Sequence, residues 1–370
     1  MRAVVSLGSN VGLRADFLAQ AVAALSALPQ TRFVAASSVR ETEPVDVPEE
    51  FADQKFLNQA AVFETDLSPE DFSARMHRVE DDLGRVRTVK NGPRTIDLDL
   101  VDFGGLVRNT PDLILPHPRA KERAFVTEPL AELGVCLDWN LDDVRRALAE
   151  GNRVLLVVRH AERPKIGYED KTFGGTLPLT SAGEEMSRAY GRLLAGSSDD
   201  VQFRASPLLR TVMTAERIAE GMGLAPADIV QDVRIGNGSA FVESELKIWE
   251  LFRDGGFFTK MCAWMHDGRQ YGFNALAPAC DAFEEYALAT FTGRLGIYTS
   301  HDVYVVAYLH GRGVRTDFCE ANWPRFLDAA AIILTPDGTR RYALVRAGLS
   351  DRCCGVDPAT SPGNPAAKAI

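Results

Sequence analysis

A chain of 370 residues is long enough for about two domains, and 46% hydrophobic with 25% charged residues is the balance of a soluble globular protein. The net charge of −10 argues against general nucleic-acid binding, so an anionic small-molecule substrate would need a local cluster of arginines. No run approaches the 18 apolar residues of a membrane span, and the opening MRAVVSLGSN has too short an apolar run for a signal peptide.

The six cysteines (Cys136, Cys262, Cys280, Cys319, Cys353, Cys354) are scattered without metal-ligand spacing, which fits a reduced compartment. The expectation is a cytoplasmic protein with small-molecule substrates and no membrane or nucleic-acid partner. Oligomeric state is not readable.

Taken in order, Ala3 to Leu7 reads as a strand stopped by Gly8-Ser9-Asn10. Leu18, Val22, Leu25 and Leu28 recur at helical spacing, which predicts an amphipathic helix over 15–28 that Pro29 ends. Residues 33–39 and 56–64 read as strands on either side of a stiff loop, Glu43-Pro44-Val45-Asp46-Val47-Pro48. Ser68-Pro69-Glu70-Asp71 is a helix start, with Ser as N-cap, Pro at the first position and an acid at the third. That helix carries Met76, His77, Val79, Glu80 and Leu83. Arg85, Arg87, Lys90 and Arg94 then crowd into ten residues.

The run from Thr95 to Val101 is apolar and partly β-branched, so a strand is expected. Asp97 and Asp99 interrupt it two residues apart, which puts both carboxylates on one face. Side by side they repel unless a cation sits between them, and a hard divalent ion that also holds phosphates is the natural occupant. The arginines around them, with Arg119 and Arg123 further on, supply donors suited to phosphate oxygens. The bland alternative is a solvated strand face whose arginines pair with Glu80, Asp81 and Asp82. The element order β-α-β-β-α-β is the ferredoxin-like one.

These motifs occur in family order over residues 1 to about 150: SLGSN, Thr42-Glu43-Pro44-Val45, Phe56-Leu57-Asn58, Arg78-Val79-Glu80, GRVR, GPRTIDLDL, and LPHPR followed by RAFV. Together they resemble 6-hydroxymethyl-7,8-dihydropterin pyrophosphokinase, a folate-pathway enzyme of α+β, three-layer ferredoxin-like fold. The resemblance implies ATP as substrate, with Asp97 and Asp99 holding two magnesium ions. It implies that Arg85, Arg94, His117 and Arg123 contact the ATP phosphates or their vicinity, with Glu80 and His77 on the nucleotide side. It implies that Asn58 and Phe125, with Pro44, Val45 and Asp97, hold the pterin. Two departures touch loop closure and nucleotide affinity: Asn91 where many members have Trp, and His77 where a Gln is common.

Leu141 to Glu150 reads as a helix ended by Gly151-Asn152, and the first domain is set at 1–150. The apolar run Val154 to Val158 marks a buried parallel strand, and it ends in Arg159-His160-Ala161-Glu162-Arg163. Thr180 caps a helix to about Leu194. Val201 to Ala205 reads as a strand, and Ser206-Pro207 opens a helix carrying Arg210 that runs to Gly221. Residues 222–277 read as irregular, an inserted cap. A helix is expected over 278–291, then a strand 295–299 ending in Ser300-His301-Asp302. A helix 303–309 and a hairpin about Asp337-Gly338 complete the second domain, 151–350, and residues 351–370 read as a frayed tail.

Two strand ends each deliver a histidine, and arginines accompany both. Such a set can converge on one phosphoryl group, with a neutral imidazole as nucleophile and cations around the equatorial oxygens. VVRHAER, LTSAGEE, ASPLLRTVMTAE and YTSHDV resemble the histidine phosphatase (phosphoglycerate mutase-like) superfamily, an α/β three-layer Rossmann-like fold. The resemblance implies His160 as the phosphorylated nucleophile, Arg159, Arg210 and His301 as the phosphate pocket, and no cofactor. An Asp directly after the second His and an Arg three after the first match the acid-phosphatase branch, so Asp302 is the expected proton donor and Arg163 an added phosphate contact. Glu243 or Glu245 is the alternative donor. The expected whole is one polypeptide with two enzymes, the second serving the first by dephosphorylating a dihydroneopterin phosphate. Dephosphorylation of unrelated small phosphates, or a phosphate-binding module without turnover, stays open.

Overall fold

The computed structural model describes residues 1–86, 92–106, 108–135, 137–167, 170–225 and 229–349. Arg87, Lys90, Asn91, Cys136, Cys353, Cys354 and the expected tail lie outside the described residues. The chain divides into two compact units, Met1–Leu137 and Asp138–Ile370.

The first unit is built on β1 (Arg2–Ser9), α1 (Arg14–Ser26), β2 (Thr31–Ala36), β3 (Arg40–Thr42), β4 (Phe56–Thr65), α2 (Pro69–Asp82) and β5 (Asp97–Phe103). A two-residue pair, β6 (Arg108–Asn109) and β7 (Ile114–Leu115), and α3 (Ala124–Glu132) complete it. The antiparallel sheet has the order β2-β4-β1-β5, with β3 on the end of β4, which is the ferredoxin-like order expected. Strand periodicity sorts the layers. Ala3, Val5 and Leu7 of β1 face α1 and α2, packing with Leu18, Leu25, Phe72 and Met76. Val4 faces the opposite side, where Val126 and Leu130 of α3 cover it together with Val62 and Val101. The result is three layers. Ser68 accepts from Asp71 N at 3.0 Å as the N-cap of α2.

The second unit begins with α4 (Leu141–Ala149), β8 (Arg153–Arg159), α5 (Ser181–Leu194), β9 (Val201–Ala205), α6 (Leu209–Gly221) and β10 (Val230–Gln231). It continues with α7 (Glu245–Phe252), α8 (Phe257–Asp267), α9 (Leu276–Thr290), β11 (Leu295–Ser300), α10 (Asp302–Gly311), β12 (Ala329–Leu334) and β13 (Arg340–Val345). The sheet order is β10-β9-β11-β8-β12-β13, with the first four strands parallel and the last two antiparallel. Leu156 and Val158 of β8 face α4, α5 and α6, while Leu155 and Val157 face α8, α9 and α10. Again there are three layers.

Two readings differ from the structure. The boundary expected at 150 falls between Leu137 and Asp138, because α4 buries Leu141, Val144, Ala147 and Leu148 in the second core. The stretch 222–277, read as irregular throughout, contains α7 and α8, and Ile248, Met261, Trp264 and Met265 are buried in the main core. Gly256 and Gly268 cap the two ends of α8, both at positive φ, and mask the helical spacing between them. No helix among the described residues is long and apolar enough to cross a membrane.

Candidate active sites

In the first unit, register brings the polar groups to one face. Gly8 of β1 pairs with Asn58 on one side and Asp97 on the other, and Ser6 pairs with Asp99. Directly opposed residues share a face. All five therefore lie on the side of Val4, but beyond the part of the sheet that α3 covers. They line a cleft of about 550 Å³, measured out to its open mouth, with Thr42, Glu43, Val45, Phe56, Arg94, Arg123 and Phe125. Gly8 keeps its floor open, since a Cβ there would come within 3.0 Å of Asn58 Oδ1. Asn58 donates to Thr42 Oγ1 at 2.7 Å, which fixes its amide.

Arg85 and Arg94 each place a guanidinium nitrogen 2.5 Å from a different oxygen of Asp97. Asp99 meets His117 Nε2 at 3.9 Å and Arg123 at 4.0 Å. Burial and the neighbouring Asp97 push the Asp99 carboxyl above the ordinary range, against the pull of His117 and Arg123. Glu80 is fully buried beneath the strand. It accepts from Leu98 N at 2.7 Å, contacts His77 Nδ1 at 3.2 Å and pairs with Arg85, so it holds β5 in place between the two aspartates. Arg94 and Arg123 lie over Phe56 and Phe125 at 5.3 and 5.5 Å from the ring centres. Arg119 turns instead to Asp46 in the 43–48 loop. Pro44 lies in that loop, between the cleft residues Glu43 and Val45.

The acid pair fits a hard divalent ion. Its two carboxylates stand on one face of β5, and among the described residues no third His, Cys, Asp or Glu closes a cage. An ion held this way keeps positions open for phosphate oxygens and water.

In the second unit, β8 and β11 run parallel with Ser300 opposite Arg159, so His160 and His301 emerge side by side. Their rings are 5.6 Å apart. This is the carboxyl edge where open α/β sheets bind ligands. His160 Nδ1 lies 2.8 Å from the Ala161 carbonyl. A carbonyl only accepts, so Nδ1 carries the proton and Nε2 keeps its lone pair. Arg210 Nη2 lies 3.4 Å from His301 Nδ1, so that nitrogen accepts, and Nε2–H faces Ser206 Oγ at 3.0 Å. Burial and then Arg210 hold both imidazoles well below the ordinary histidine range, so both are neutral. Burial also pushes Arg210 down, to about 10.

Arg159 is clamped. It donates to the Pro324 carbonyl at 2.5 Å, pairs with Asp302 Oδ2 at 3.3 Å and lies 4.5 Å over the Phe326 ring. Trp323 Nε1 donates to the same Asp302 oxygen at 3.1 Å. Among the described residues the Nε groups of Arg159 and Arg210 are buried without an acceptor. Arg163 donates to the Pro164 carbonyl at 2.8 Å, and its charge acts on both histidines and on Arg210. Glu243 is exposed and pairs with Lys247, and Glu245 is exposed at the start of α7.

Several residues escaped the sequence reading. Ser206 follows β9 directly and was findable from the same strand-end rule that gives the histidines. Ser6 and Gly8 needed the register. Trp323, Pro324 and Phe326 come from a loop with no local signal.

A model of the family described as 7,8-dihydro-6-hydroxymethylpterin-pyrophosphokinase matches residues 4–135. A pyrophosphokinase of this specificity from Bacillus subtilis is 43% identical over 132 residues, 35% of this chain and 77% of its own. One from Methylorubrum extorquens is 41% identical over 150 residues, 40% of this chain and 92% of its own. The chain belongs to the 7,8-dihydro-6-hydroxymethylpterin-pyrophosphokinase family. Beyond the pyrophosphokinase domain it carries a histidine phosphatase superfamily domain, whose branch 1 model matches residues 155–236. That match includes His160 and Arg210 and ends before His301 and Asp302. A solved mycobacterial glucosyl-3-phosphoglycerate phosphatase is 17% identical with a TM-score of 0.34, over 52% of this chain and 97% of its own.

Proposed function

We propose that the chain is a bifunctional enzyme. Its pyrophosphokinase domain transfers pyrophosphate from ATP to 6-hydroxymethyl-7,8-dihydropterin, and its second domain is a phosphohistidine-forming phosphomonoesterase acting on a dihydroneopterin phosphate. In the first reaction the hydroxymethyl oxygen bonds to the β-phosphorus, the bond from that phosphorus to the α–β bridging oxygen breaks, AMP leaves, and the hydroxyl proton passes to solvent. Asn58 and Phe125, with Pro44 and Val45, orient the pterin. Arg85, Arg94, His117 and Arg123 take phosphate oxygens, with Glu80 and His77 on the nucleotide side. Asp97 and Asp99 would hold two magnesium ions, which neutralise phosphate charge when bound. A triphosphate offers Arg85 and Arg94 a second anionic partner in place of Asp97. Among the described residues no side chain stands out as a general base, so positioning and charge carry the step.

The observation that supports the second activity is the His160 tautomer. Its Nδ1–H is fixed on a backbone carbonyl, leaving Nε2 as a neutral nucleophile among Arg159, Arg210 and His301. Nε2 bonds to phosphorus, the ester P–O bond breaks, and the leaving oxygen takes a proton from Asp302. Water then attacks the phosphohistidine, the N–P bond breaks, its proton returns to Asp302 and inorganic phosphate leaves. The substrate follows from the pairing of activities, because a phosphate must come off a dihydroneopterin phosphate before the pyrophosphokinase substrate exists.

The test uses the full chain. With magnesium, ATP and the hydroxymethylpterin it should release AMP, and a chelator should stop that without touching phosphate release. Dihydroneopterin monophosphate should yield phosphate, with an acid-labile phosphoenzyme that His160→Ala abolishes. Hydrolysis of other phosphomonoesters but not of this one would remove the substrate assignment. Phosphate binding without a phosphoenzyme would make the second domain a binding module.

A further inference from the structure

The rim of the second-domain pocket carries a feature that phosphoryl transfer does not use. Arg210 Nη1 donates to the Gly174 carbonyl at 2.9 Å, which hangs the 170–174 turn on the pocket wall. The turn is closed on itself, since Asp170 accepts from Thr172 N at 2.8 Å, Thr172 Oγ1 at 2.6 Å and Gly174 N at 3.0 Å. Phe173 and Gly174 reverse the chain at φ 53° and 67°. Lys171, exposed at its tip, places Nζ 4.7 Å from the centre of the Trp249 ring. The Arg253 guanidinium lies 5.9 Å from the same ring.

Trp249 belongs to α7, which Ile248 anchors in the core while Trp249 stays half-buried. The face of α7 therefore meets the pocket rim through Trp249, at the turn held by Arg210.

We propose that Trp249, flanked by Lys171 and Arg253, is the leaving-group subsite of the phosphatase domain and selects phosphomonoesters whose leaving group carries a flat ring. It rests on the phosphomonoesterase reading and names the substrate class for that site. An indole face gives a planar ring dispersion and quadrupole contact that a polyol cannot match. The two cations can meet the electron-rich edges of a heterocycle.

The test compares phenyl phosphate with glycerol 2-phosphate on the full chain and on Trp249→Leu, which keeps apolar bulk without a π face. The substitution should raise KM for phenyl phosphate roughly tenfold, leave its kcat within about twofold, and leave both constants for glycerol 2-phosphate unchanged. Trp249→Phe should restore most of the phenyl phosphate KM. Equal losses on both substrates overturn the subsite. If Trp249→Leu unfolds the domain, phenylphosphonate and methylphosphonate are compared as inhibitors of the unmutated chain. Phenylphosphonate should bind roughly tenfold tighter by stacking, and equal inhibition overturns the subsite. A chain that hydrolyses neither ester and forms no phosphoenzyme overturns the phosphatase reading itself, whereas turnover without aromatic preference overturns only this inference.

Discussion

Asp302 has two oxygens and two claims on it. Its Oδ2 is held by Arg159 and Trp323, which leaves Oδ1 as the oxygen to carry a proton. If it donates that proton, Asp302→Asn should slow an alkyl phosphate by about 10²–10⁴-fold and spare p-nitrophenyl phosphate, whose leaving group needs no acid. Equal slowing of both would make Asp302 a positioning residue for Arg159 and return the donor role to Glu243 or Glu245. Arg210→Ala should lower kcat by about 10²–10³-fold on either substrate, as loss of a buried donor to developing charge does. The two histidines also write a pH dependence into stability. Both are neutral when folded and regain an ordinary pKa near 6.5 when unfolded. Below that value the unfolded chain binds more protons, so stability falls as pH drops from about 6.5 toward the depressed folded values. The limiting slope is about 1.4 kcal/mol per pH unit for each histidine. All four tryptophans (Trp139, Trp249, Trp264, Trp323) lie in the second unit, so fluorescence-detected urea unfolding at pH 7 and pH 5.5 reads this domain alone. An unchanged midpoint would contradict the neutral pair.

At the scale of elements, the loop after β8 is set by a helix that approaches backbone to backbone. A Cβ on Gly183 of α5 would sit 2.2 Å from the Glu162 carbonyl oxygen, two residues past His160. Thr180 N and its hydroxyl reach the same residue. Gly183→Ala should therefore cost about 1–3 kcal/mol as an overpacked contact and lower phosphatase turnover, while AMP release by the first domain stays unchanged. Loss of stability with full turnover would show that the loop absorbs the shift. The sequence announced the strand ends well, because buried parallel strands are continuous apolar runs and the chemistry sits just past them. Asp97 and Asp99 were legible for a similar reason, since period two alone puts them on one face. Helix packing was not legible. Nothing local says that Gly183 touches Glu162, or that Trp323 reaches Asp302 across the fold. The α7–α8 segment misled because its buried Met261, Trp264 and Met265 are separated from Ile248 by glycines that look like loop.

At the scale of the molecule, the question is where one domain stops. Sequence pattern put α4 with the first domain because no linker composition precedes Val154. The structure gives it to the second for three physical reasons. Its Leu141, Val144, Ala147 and Leu148 are buried there, and each larger side chain contributes about 1.5–3 kcal/mol by burial. Trp139 pairs with the outer edge of β13, its N–H on the Leu344 carbonyl and its carbonyl on Arg346 N, both at 2.7 Å. Asp138 accepts from Arg315 and Arg346 at 3.0 Å each, inside a buried charge network that continues to Asp328. Removing one member of such a network costs about 3–5 kcal/mol because it strands buried charge. Against a total stability of about 5–15 kcal/mol, losing all three should be decisive. Residues 138–370 expressed alone should melt cooperatively and keep phosphatase activity. Residues 151–370 should be aggregated or without a cooperative transition, their β13 edge uncovered. Residues 1–137 should fold and release AMP. Circular dichroism melts of the three fragments decide it, and a 151–370 fragment as stable as 138–370 would return the boundary to residue 150.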